Sequence, residues 1–144
     1  MVEGSAPAHQ LSNLDVGFSW MMLTGFSLEN LVKGVLLKRQ PHLAKRGRVP
    51  SWPGRGHDIL TMFRSAGISL RPPEEDLLTR LREFVTWRGR YPIAKTPDEM
   101  MPREAVHGGG TPFMMPKQDR QMAEDLFSRL AQVLEKEAQQ RMEQ

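Results

Sequence analysis

Between Phe18 and Lys38 the apolar and small residues fall at 18, 21, 25, 28, 32 and 35, and that spacing admits one kind of regular element. Steps of three and four place all six positions on one stripe of a helix, whereas a strand would scatter them over both faces. The helix starts near Asn13 or Asp15, either of which caps free amide groups, and runs to about Arg39, where Pro41 ends it. Gly25 and Gly34 lie inside it at a cost of roughly 1 kcal/mol each against alanine. That cost is met where another backbone packs close or where the helix bends. Glu29 and Lys33 stand four apart, acid first, the favourable order for a helical ion pair, yet both flank the stripe instead of opposing it. Either the pair braces the helix, or the carboxylate is held inside as part of a polar network.

Downstream, QPHLAKRGRVPSWPGRG carries three prolines and three glycines and reads as a loop. A second helix of about ten residues begins at His57 or Asp58, turns Ile59, Leu60, Phe63 and Ala66 inward, and meets Gly67 where a left-handed cap is wanted. In PPEEDLL the prolines suit an opening turn and Glu74, Glu75 and Asp76 complement the positive end of the helix dipole. Leu77, Leu78, Leu81, Phe84 and Val85 then form the stripe of a third helix ending near Trp87. A long Pro/Gly-rich loop, with five prolines and Gly108 to Gly110, precedes the last helix, which runs from about Asp119 to Glu143 with Met122, Leu126, Leu130, Val133 and Leu134 inward. No segment alternates, so the fold class is all-α, a four-helix bundle. Residues 1–13, without periodicity, form a flexible arm and residues 14–144 a single domain.

A chain of 144 residues with 39% hydrophobic content supports one core. The lack of cysteine excludes disulfides, thiolate metal sites and a cysteine nucleophile. No basic segment followed by an apolar run opens the chain, so neither a secretion signal nor a membrane span is expected, and the expected location is cytoplasmic. Net charge is only +3, but it is unevenly placed: Lys38, Arg39, Lys45, Arg46, Arg48 and Arg55 fall in a stretch without one acid.

That asymmetry directs attention to phosphate. Three basic and aromatic groups stand out: Arg55 with Trp52 and His57; Arg88 and Arg90 with Trp87 and Tyr91; and Lys45, Arg46 and Arg48. Guanidinium groups grip phosphates through a fixed donor fork and flat rings stack on bases, so the mixture suits single-stranded RNA or a nucleotide. The bland alternative is that the arginines cap helix ends and the tryptophans close the bundle. The histidines (His9, His42, His57, His107) show no pair at metal-ligand spacing, the glycines at 108–110 lack the strand and lysine of a phosphate loop, and no metal or cofactor is assigned.

The succession FSLENLVKGVLL, GHDILTMF with AGI, LREFVTWRGRYPIAKTPDEM and QDRQMAEDLFSRLAQVLEKE resembles the HEPN (higher eukaryotes and prokaryotes nucleotide-binding) family over roughly residues 18–140. Glu29, Lys33 and Gly34 match its first helix, His57 and Asp58 its second-helix start, and Arg90, Tyr91 and Pro92 its R-Y-P segment. The resemblance implies an antiparallel four-helix bundle, a polar network of Glu29, Lys33, His57 and Asp58, a homodimer, and binding of RNA or a nucleotide. It also implies a place in a toxin–antitoxin or defence-type pair with a nucleotidyltransferase partner. Nucleases of that family resemble one another in an arginine followed, after four to six residues, by a histidine. Here Arg103 and His107 have three residues between them and Arg55 and His57 one, so the nuclease motif is not intact. The alternatives are a metal-independent endoribonuclease using Arg90 with His57 or His107, and a non-enzymatic partner-binding protein presenting Met100, Met101, Phe113, Met114 and Met115.

Overall fold

A computed structural model describes residues 8–55, 57–88 and 117–143, which form four helices and, among the described residues, no strand. Helix α1 (Ala8–Arg39) is the spine against which α2 (Ile59–Ser65), α3 (Pro72–Glu83) and α4 (Lys117–Met142) all pack. Its start at Ala8 precedes the expected Asn13 or Asp15. The predicted stripe does face the core: Met21, Leu28, Val32 and Val35 are buried and Phe18 is half-buried against Phe84, with ring centroids 5.4 Å apart.

Helix α3 opens on Pro72 and Pro73, where missing amide hydrogens cost nothing, and its carboxyl end widens into a π-helical turn, Phe84–Arg88. Leu77, Leu78, Leu81, Phe84 and Val85 are all buried, as their spacing predicts. At Gly25 helix α1 lies close against α3 and the turn that follows it. A Cβ there would collide with Val85 Cγ2 and lie 3.4 Å from the Leu81 carbonyl oxygen. Gly34 faces only the Leu134 side chain, at 3.5 Å.

Helix α2 is shorter than expected because its caps close it at both ends. Asp58 accepts from the Thr61 amide, while Gly67, at φ +70°, lets the Gly67 and Ile68 amides bond back to Arg64 and Phe63.

Side-chain pairings fix the directions. Arg39 bonds Glu137 of α4 and the Ala66 carbonyl beyond α2, and Lys38 bonds the Leu134 carbonyl, so α1, α2 and α4 run the same way. Arg80 grips Asp119 and Glu74 reaches Arg129, so α3 runs against α4. The up-and-down alternation of an antiparallel bundle therefore holds for α2, α3 and α4 but not between α1 and α2. The reason is residues 40–58: this proline-rich segment carries the chain back along α1 before α2 begins, with Leu43 and Trp52 packed on the core as its anchors.

Candidate functional site

Near the middle of α1, Glu29 is 2% exposed, and a lone carboxylate at that depth would be severely destabilising. It is not alone. Lys33, one turn on, donates from Nζ at 2.5 Å, and His57, brought back by the returning loop, places Nδ1 2.8 Å from Oε2 and 3.0 Å from Oε1. An ionised carboxylate only accepts, so Nδ1 carries the hydrogen, and in the neutral ring the other nitrogen, Nε2, is an acceptor. Phe26 packs edge-on to the imidazole at 6.1 Å, and Lys33 also stands 5.1 Å from the Trp52 ring centre. Glu29 thus fulfils both sequence readings at once: it braces its own helix and fastens the loop to it.

Asp58 stands beside this group with other work. Its carboxylate caps α2, takes the Thr61 hydroxyl at 3.0 Å and faces an Arg82 guanidinium nitrogen at 3.5 Å. Gly54, at φ +78°, lies against Asp58 and Thr61, where a Cβ would come within 2.8 Å of the Asp58 Cβ. The loop can therefore lie close over the start of α2 only with glycine there.

The rest of the loop presents charge. Lys45 and Arg48 exchange backbone hydrogen bonds of 2.7 and 3.1 Å across a tight turn whose central residues, Arg46 and Gly47, both have positive φ, 52° and 74°. Lys45, Arg46, Arg48 and Arg55 are exposed, and no described acid pairs with any of them. The cations of the first three helices differ: Lys33, Arg39, Arg64, Arg80 and Arg82 each reach an acid, and Lys38 a carbonyl.

The structure thus brings Glu29, Lys33 and His57 into one network, with Asp58 adjacent, and sets Arg55 and Trp52 on the same loop as Lys45, Arg46 and Arg48. Trp52 is half-buried, one aromatic contact already taken by Lys33. Arg88 closes the π-helical turn, while Arg90, Tyr91, His107 and the methionine-rich positions 100–101 and 113–115 lie outside the described residues. Sequence reasoning missed Phe26 and Arg82. Phe26 had a signal, three residues before Glu29 and so on its face of the helix. Arg82, distant in sequence from Asp58, had none.

Among the described residues no helix is long and apolar enough to cross a membrane. No protein-family model matches the chain, and neither the comparison with curated proteins nor that with solved structures returns a similar protein.

Proposed function

We propose that this chain is a HEPN-like helical domain that binds single-stranded RNA or a nucleotide on the loop between α1 and α2. One observation carries the reading: four exposed cations, Lys45, Arg46, Arg48 and Arg55, stand on an acid-free loop without a described acidic partner. Charges held only for solubility are commonly interspersed with acids, whereas unpaired arginines on a fastened loop match a ligand that supplies the negative charge. Arg46 supports it further. An arginine in the left-handed region costs about 1 kcal/mol over glycine, and such strain gathers at functional turns.

The test is the salt dependence of binding to a fluorescently labelled RNA oligonucleotide. Neutralising a phosphate on a single strand contributes about −0.7 to the slope of log K against log salt, so four contacts give a slope near about −3. A slope close to zero would contradict the reading.

The Glu29–His57 geometry favours a second reading, metal-independent RNA cleavage. A buried carboxylate that holds Nδ1 leaves Nε2 as a base for a 2′-hydroxyl proton. The same RNA, incubated in excess chelator and run on a denaturing gel, would then be cut by the wild type and not by His57→Ala. Intact RNA removes this second reading and leaves binding standing.

A further inference from the structure

The loop between α1 and α2 carries one hydroxyl that neither the fold nor the RNA reading uses. Ser51 is exposed on backbone without regular structure, and its Oγ reaches only the carbonyl of its neighbour Trp52, at 3.5 Å, the outer edge of hydrogen bonding. Among the described serines and threonines only Ser51 and Ser69 lie outside helical turns. At Ser69 the carbonyl is held by Arg129, and the arginine five residues before it, Arg64, is paired with Glu75. Ser51 differs: Arg48 stands three residues before it, Arg46 five before and Arg55 four after, all exposed and without a described acidic partner. An open hollow of about 700 Å³ lined by Lys45, Arg46, Arg48 and Pro50 ends at the residue next to Ser51.

We infer that Ser51 is a phosphorylation site for an arginine-directed serine/threonine kinase, and that the phosphate it receives shuts the loop to RNA. An enzyme that phosphorylates proteins needs an exposed hydroxyl on backbone with no helix to unwind. It also needs marks that tell this hydroxyl from the others, and guanidinium groups at fixed offsets supply them to a cleft lined with carboxylates. In the transfer the Ser51 oxygen bonds the γ-phosphorus of ATP and the bond from that phosphorus to the β–γ bridging oxygen breaks. ADP leaves, and the hydroxyl proton passes to the base of the kinase. The product carries a charge of about −1.5 to −2 and strong acceptor oxygens, set beside a cationic hollow. It becomes the acid that this stretch lacks, and the loop arginines turn from an external phosphate to an internal one. The site stands without the RNA reading; its effect on RNA rests on that reading.

The test is phosphorylation of the folded, full-length chain with ATP and a purified arginine-directed kinase, read by tandem mass spectrometry of the digested product. The wild type takes a single phosphate, on Ser51, and Ser51→Ala takes none. Arg46→Ala combined with Arg48→Ala is modified at least about tenfold more slowly. No incorporation, a phosphate placed elsewhere while Ser51 stays bare, or a rate indifferent to the two arginines overturns the site. Labelled-RNA anisotropy then compares the phosphorylated wild type with Ser51→Ala carried through the same reaction. The phosphorylated chain binds at least about tenfold more weakly, and its salt slope falls from about −3 to about −1.5 as two of four contacts are lost. Equal affinity and slope overturn the regulation. If the unmodified chain binds no RNA, the RNA reading fails and the regulation with it, while incorporation at Ser51 still decides the site.

Discussion

Two buried carboxylates show how residue-level chemistry sets this molecule, and they do different work. Glu29 fastens the returning loop. Glu74, fully buried, fastens α3 to α4: Oε2 accepts the Arg71 amide, and Oε1 accepts from the Arg71 and Arg129 guanidinium groups at 2.8 and 2.9 Å. Burial pushes the Glu74 carboxyl up, but the Arg71 side-chain and backbone bonds together with Arg129 outweigh it and leave the group below its ordinary value. A carboxylate whose folded value lies below its unfolded one contributes stability that is complete above the ordinary range, about 4.3, and is lost as pH falls through the lowered folded value. Glu74→Gln is therefore expected to cost about 1.5–3 kcal/mol at neutral pH and progressively less in acid, read from urea unfolding at several pH values. A cost that does not shrink in acid would assign the loss to packing instead of charge.

Among the elements, the two glycines of α1 were indistinguishable in the sequence and are not equivalent in the fold. At Gly25 an added methyl meets Val85 Cγ2 and the Leu81 carbonyl, both buried and fixed, so Gly25→Ala is expected to destabilise by about 1–3 kcal/mol despite its better helix propensity. Val85→Ala in the same chain should recover part of that loss. Gly34→Ala meets Leu134 at ordinary contact distance and is expected to be neutral or to stabilise by up to about 1 kcal/mol. Thermal melts of the three variants separate the cases, and equal effects at 25 and 34 would refute the close approach of α1 and α3. The helices themselves were legible because the stripes of α1 and α3 and the caps at Asp58 and Gly67 are local signals. The direction of α2 was not. It depends on how a proline-rich segment returns along α1, which follows from Trp52 and Leu43 finding the core and His57 finding Glu29, contacts between residues far apart in sequence.

At the scale of the whole molecule, charge is sorted by position. The cations of α1, α2 and α3 are used to hold the fold together, and those of the loop between α1 and α2 are left to solvent or ligand. The acid-free stretch was plain in the sequence, but six cations were counted there and only four are available, since Lys38 and Arg39 at its start clamp α1 to α4 and α2. The most direct measurement compares two charge-matched variants in RNA-binding anisotropy at low salt: Arg46→Glu with Arg48→Glu on the loop, and Lys117→Glu with Lys136→Glu on exposed positions of α4. Both change the net charge equally. If the loop is the binding surface, the first pair weakens binding by at least about tenfold and the second by much less. Equal losses from both pairs would mean that only overall charge attracts the RNA, and the loop would lose its claim to be a site.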